Sequence, residues 1–244
     1  MKTLKTTLVI LFLLSLATFS WAQEGVIVYE VKMNLHRSLT KEREAMKNMI
    51  PEFNVSKQAL YFNPQASLYK RMVDEEEEAI AGSGGGVTMR IRMNSEEQYL
   101  LPAEFKKVSL REFNGKKYIV QDSISTLPWK FTDGTKTILG YTCKQATYFD
   151  EKRNRTVVAW YTDKLRPFLG PEGYASLPGG VLEIDVNNGE RTLKALQVEL
   201  RPLKKGELVE PVKGEKVTEK QYQAMMSEQM ERMRQNGNNM IIRN

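Results

Sequence analysis

Few residues in this chain could do chemistry, and their scarcity narrows the choices. Among 244 residues there is a single histidine, His36, and a single cysteine, Cys143. A hydrolase of the Ser-His-Asp or Cys-His type needs a histidine base beside its nucleophile. His36 falls at the end of the first strand-like stretch, and nothing around Cys143 resembles a nucleophile elbow, so that chemistry is set aside. Zinc sites built on His and Cys are short of ligands for the same reason. Glu183 and Asp185 share one strand face, the kind of pair a glycosidase uses, but acidic residues on an exposed face are commonly just solvated. The softest donors are methionines. Five of the twelve (Met225, Met226, Met230, Met233 and Met240) lie in the last 20 positions. Met226, Met230 and Met233 follow Tyr222 at helical spacing, and thioethers suit monovalent copper outside the cytoplasm. The same stripe is what an amphipathic helix docking on a sheet or a partner would present. No cofactor is called for.

Two loops draw the eye. Asp74 and Glu75 to Glu78 run into Gly82-Ser83-Gly84-Gly85-Gly86. These glycines lack the Lys-Ser/Thr of a phosphate-cradling loop, and the acids are not spaced to converge on calcium. A solvated hairpin loop is expected there. The stretch 166–179 is punctuated by proline and glycine, which makes it rigid. Ordered connections of this length are often functional. Phe168, Leu169, Tyr174, Leu177, Pro178 and Gly179 are therefore the candidate ligand-binding residues, with a plug over one end of a curved sheet as the competing role.

Strand signals must position these loops. Alternation opens at 25–34, and further strands are expected at 59–62, 67–73, 87–93, 99–101, 107–113, 117–123, 137–149, 156–162, 180–186 and 191–200. Asn114-Gly115 and Asp133-Gly134 read as tight turns, because such residues tolerate positive φ. Short turns make neighbouring strands antiparallel. Helical spacing over 38–50, stopped by Pro51, predicts one early helix. The fold class is thus mainly β: a large curved antiparallel meander, a half-barrel or open barrel, with one N-terminal helix and a C-terminal helical tail.

The first 22 residues form an address. Lys2 and Lys5 precede an apolar run over 8–17, and Ser20-Trp21-Ala22 supplies small residues at −3 and −1 before Gln23. That is the pattern of a secretory signal peptide, and the run is too short to span a bilayer. The expected division is a signal peptide over 1–22, one β-rich domain over 23–203, and a charged linker with a Met-rich helical tail over 204–244. Without Lys2 and Lys5 the 36 basic residues fall to 34 against 30 acidic ones, a net charge of +4. So mild a surplus is ordinary solubilisation and argues against nucleic acid as a partner. Cys143 has no intramolecular partner and reads as a buried small hydrophobe.

From Gly140 a longer pattern emerges. Gly140-Tyr141-Thr142-Cys143-Lys144-Gln145-Ala146 is followed by Arg155, Ala159-Trp160-Tyr161-Thr162, Gly170-Pro171 and Ser176-Leu177-Pro178-Gly179-Gly180-Val181-Leu182-Glu183-Ile184. With Trp129-Lys130 upstream, this order resembles the GLPGLI family of exported Bacteroidota proteins. Ser176 stands where the name motif has its first Gly, and Gly180 where it has its second Leu. Loss of that side chain predicts a less packed strand start. The resemblance implies an exported β-rich protein and carries over no catalytic residues.

Together these readings predict a non-enzymatic exported envelope protein that is not an integral membrane protein. It would lie in the periplasm, be outer-membrane associated, or be secreted. Its curved sheet would bind an apolar ligand or an envelope protein partner; the alternative is copper handling through Met226, Met230 and Met233.

Overall fold

The computed structural model describes residues 23–39, 44, 47–72 and 96–241. The signal sequence, the acidic and glycine-rich run and the strand expected at 87–93 lie outside the described residues. Among the described residues twelve strands form one sheet: β1 (Gly25–Asn34), β2 (Phe53–Phe62), β3 (Ser67–Arg71), β4 (Glu97–Leu101), β5 (Lys106–Phe113), β6 (Lys116–Ser123), β7 (Lys130–Ile138), β8 (Tyr141–Asp150), β9 (Arg155–Thr162), β10 (Gly180–Val186), β11 (Arg191–Leu200) and β12 (Glu215–Thr218). Their order is β12-β6-β5-β4-β3-β2-β1-β11-β10-β9-β8-β7. Two meanders therefore meet at the centre, where β1 pairs antiparallel with β2 on one side and β11 on the other.

The connection from β6 to β7 forces the sheet to curl. These strands lie on opposite flanks, ten strand spacings apart in the sheet order. At about 4.8 Å per spacing they would stand roughly 48 Å apart if the sheet were flat. The seven steps from Ser123 to Lys130 reach only about 25 Å. The flanks must fold toward one another, and the concave face so formed carries both the core and the site.

The turn chemistry is partly as expected. Asn114 and Gly115 take positive φ (51° and 75°) between β5 and β6, as a two-residue hairpin turn requires. Asp133-Gly134 does not turn. It lies inside β7, where the register shifts between Phe131 and Thr135, so this dipeptide forms a bulge. The turn falls instead at Leu139-Gly140, with φ of 51° and 81°, and splits the single strand expected over 137–149 into β7 and β8.

Three further expectations are corrected. Helix is absent from the described part of 38–50, which shows only short 3-10 turns. Met49, on the side expected to be apolar and buried, is 73% exposed. The stretch 204–219 is more than a linker, because Glu215–Thr218 joins the sheet edge as β12, parallel to β6. The start of β10 is tightly packed: a Cβ on Gly180 would lie 2.6 Å from Leu165 Cβ, so Leu165 already occupies the space a larger residue would need.

The tail forms helix α1 (Glu219–Ile241). Thr218 and Gln221 start it reciprocally. Gln221 N–H donates to Thr218 Oγ1 at 3.2 Å, and Thr218 N–H donates to Gln221 Oε1 at 2.8 Å. Tyr222, Met225 and Met226 pack with Phe113, Tyr118, Val120 and Val217. Among the described residues no helix is long and apolar enough to cross a membrane.

Candidate functional site

Inward positions change character along a single strand. In β2 they read Asn54, Ser56, Gln58, Leu60 and Phe62, and register fixes which neighbours share the face: Gln58 lies opposite Arg71, Leu60 opposite Tyr69 and Phe62 opposite Ser67. The apolar end is filled. Leu60 and Phe62 cluster with Ile27, Tyr29, Leu165 and Leu169. The 163–179 connection lies across this end, joined to β10 by the Val181 N–H to Leu169 O bond (2.8 Å), while Tyr29 O–H of β1 donates to Val181 O beneath it (2.6 Å). Burial raises the Tyr29 phenol far above its ordinary value.

The polar end stays open as a cavity of about 500 Å³. Its floor includes Ser56, Gln58, Arg71, Gln98, Lys107 and Arg111, from β2 to β5 and the residues beside them. Its far wall comes from β8, β9, β11 and the plug loop, through Tyr148, Arg155, Arg191 and the stretch 172–174. The Trp129 ring meets Tyr148 edge-on at 4.9 Å and Tyr174 at 6.5 Å, so an aromatic cluster backs this wall. Burial pushes the Tyr174 phenol up to about 12.

Ion pairs brace the rim. Arg191 grips Glu172 with both terminal nitrogens, Nη1 donating to Oε2 at 2.7 Å. Burial would lower the Arg191 guanidinium, but the Glu172 charge and hydrogen bonds outweigh it and the group is raised. Arg111 donates to Glu96 at 2.8 Å and to Glu219 of α1 at 3.0 Å, and its guanidinium lies over the Tyr222 ring. The helix is thereby latched to the cavity wall. Tyr69, only 4% exposed, lines the cavity, and its hydroxyl has no partner among the described residues. Burial, followed by the Glu172 charge, raises its phenol well above the ordinary value.

The ligand residues expected from sequence divide between two roles. Leu169 and Leu177 are buried core, and Phe168 packs with Leu100, Ile124 and Ala175. Pro178 is exposed, while a Cβ on Gly179 would lie 2.1 Å from Thr162 O, so Gly179 marks a close backbone approach. Tyr174 alone of the six borders the cavity. Met226 is partly buried against Tyr222, Met230 is 57% exposed, and the Met233 side chain lies outside the described ones. Glu183 pairs with Lys136 at 2.8 Å, and Asp185 accepts the Gly189 N–H at 2.7 Å, so both carboxylates serve the framework. The floor residues went unnoticed in the sequence. Their signal is the switch from polar to apolar at every second position of β2.

Comparison with known proteins adds the family. A family model described as N-glycanase peptide, N-terminal domain, matches residues 65–224. The chain belongs to that family. The expectation of a non-enzymatic protein is corrected by this match, which places the chain in an enzyme-related family. Two solved structures of PNGF-II, in space groups P21 and C2, share the fold, each with a TM-score of 0.58 and 18% identity over 84% of this chain. The chain spans about a third of their length, 33% and 32%. An uncharacterized conserved protein from Thermus thermophilus aligns at a TM-score of 0.40 and 7% identity, covering 80% of this chain and 90% of its own, too slight a likeness to carry argument. No curated protein matches the sequence. The motif order from Gly140 to Ile184 lies wholly within the residues matched by the N-glycanase family.

Proposed function

We propose that this chain is an exported glycan-facing domain, whose concave sheet holds an N-linked glycopeptide in the service of N-glycanase chemistry. The observation that carries this reading is the lining of the open cavity. Amide, hydroxyl and guanidinium groups make up most of it, with Tyr148 and Tyr174 on one wall. An apolar ligand would strand the amides and hydroxyls among them that the chain does not pair, at about 1–3 kcal/mol each. A saccharide offers a hydroxyl to each of them and carbon-bound hydrogens to the tyrosine rings. The apolar half of the face, which could have taken a lipid-like ligand, is filled by the plug loop. Family membership supports the substrate class, and the pattern of residues 1–22 supports export to the periplasm, the outer membrane or beyond.

NMR of isotope-labelled protein tests the site. Adding an N-linked glycopeptide should shift amides of β2 to β5 near Gln58 and Gln98. Shifts confined to the outer face, or none at millimolar glycopeptide, would contradict the reading.

A further inference from the structure

Among the described residues the charges around the cavity do not balance. Six cationic side chains line it: Arg71, Lys107, Arg111, Arg153, Arg155 and Arg191. Five carboxylates answer them. Lys107 pairs with Asp122, Arg111 with Glu96 and Glu219, and Arg191 with Glu172. Arg153 and Arg155 must share Asp150, each donating to its Oδ2 at a long 3.4 Å. The Arg71 side chain, which lines the cavity, has no ion-pair or hydrogen-bond partner among the described residues. Among the described residues the surplus therefore sits on Arg71 of β3 and on the Arg153–Arg155 pair at the turn into β9, which the curl of the sheet brings to one cavity.

We propose that this cavity selects an acidic saccharide, whose carboxylate or sulfate is taken by Arg71 with the under-neutralised Arg153–Arg155 pair. This deepens the glycopeptide reading and rests on it. Arg71 is partly buried, which strengthens a charge-assisted contact relative to one in bulk water. Its planar fork matches two oxygens of one oxyanion, which a lysine cannot do. Gln58 lies directly opposite Arg71 on β2 and Gln98 opposite Tyr69 on β4, so neutral amides flank the guanidinium without competing for it. Tyr69, two residues before Arg71 on the same strand face, adds a buried hydroxyl that the chain leaves unpartnered.

The test compares three probes by calorimetry at physiological salt: a sialylated N-glycopeptide, the same molecule after sialic acid removal, and a sulfated counterpart. The acidic forms should bind about tenfold more tightly than the neutral one. Arg71→Gln should lower binding of the acidic forms to the level of the neutral form measured on the same variant, and melting curves would confirm that it folds. Arg71→Lys keeps the charge but not the fork and should lose about threefold, which remains readable if the glutamine variant fails to fold. Tighter binding of the sialylated than the sulfated probe would assign the carboxylate, and the reverse order the sulfate. Equal affinity for acidic and neutral forms, or a preference that survives Arg71→Gln, would overturn the inference alone. Absence of binding by every probe would overturn the glycopeptide reading and the inference with it.

Discussion

Arg191, the first residue of β11, holds Glu172 of the plug loop through both terminal guanidinium nitrogens. Glu172 does this from the left-handed region, at φ 52°, where a non-glycine residue is strained. The pair thus ties the lid of the core to the rim of the cavity. Glu172→Ala keeps the strain and leaves Arg191 uncompensated. Because the pair is about a quarter exposed, the expected cost is about 1–3 kcal/mol, below that of a fully buried pair. A melting temperature lowered by several degrees is the expected result. Glu172→Gly relieves the backbone and should lose less. Equal melting temperatures for wild type and Glu172→Ala would rule out this bracing role.

Ser176 is the residue at which the loop departs from the glycine of the motif it resembles. Its Oγ accepts the Leu127 N–H at 3.0 Å and the Trp129 indole N–H at 3.2 Å. Both donors belong to the short crossing that forces the sheet to curl. Ser176→Gly removes both bonds, at about 1 kcal/mol each. Loosening of the Trp129 ring should appear as a red shift in tryptophan emission together with a lower melting temperature. An unchanged spectrum would show that the crossing is held by other contacts.

Gly180 and Leu165 exchange volume across the loop. Gly180→Leu alone drives a side chain into Leu165 and should destabilise by about 1–3 kcal/mol. Adding Leu165→Ala should recover part of that loss. Denaturant melts of the two single variants and the double variant form a cycle. Additive losses would show that the two positions do not share one space.

How much of this was legible in advance follows from the same residues. Asn114-Gly115 turns where its types say it should. Asp133-Gly134 carries the same signal and bulges instead, in a segment where Thr132 Oγ1 bonds Gln145 Oε1 at 2.7 Å and Gly134 lies close to the Gln145 side chain. Long-range pairing therefore overrode the local preference, and the turn fell on Leu139, whose type gives no hint of positive φ. The strand Glu215–Thr218 escaped notice because an edge strand with charged residues shows little alternation. The antiparallel pairing and the single large sheet were readable from short turns. The cavity was not, since it depends on which inward positions the plug covers, and that is set by contacts between residues far apart in sequence.

Cys143 gives a chemical check on the core beneath β8. It is free and fully buried, and burial pushes its thiol up to about 11. A raised pKa means that the folded state favours the neutral thiol. That contribution is intact below the unfolded value of about 8.5 and is lost as pH climbs toward the folded one. At pH 8 a thiol reagent should therefore label the native protein roughly a hundredfold more slowly than the unfolded chain. Rapid labelling without denaturant would contradict this placement.

The central claim is that the polar half of the concave face receives a glycan. Isothermal titration with an N-linked glycopeptide, and with the same peptide lacking its glycan, tests it most directly. The glycopeptide should bind and the bare peptide should bind at least about tenfold more weakly. Gln98→Ala and Tyr148→Phe, which remove one amide and one hydroxyl from the lining, should each weaken binding by about threefold to tenfold, with little change in melting temperature. Equal binding of the two peptides, or affinity untouched by both substitutions, would contradict the account.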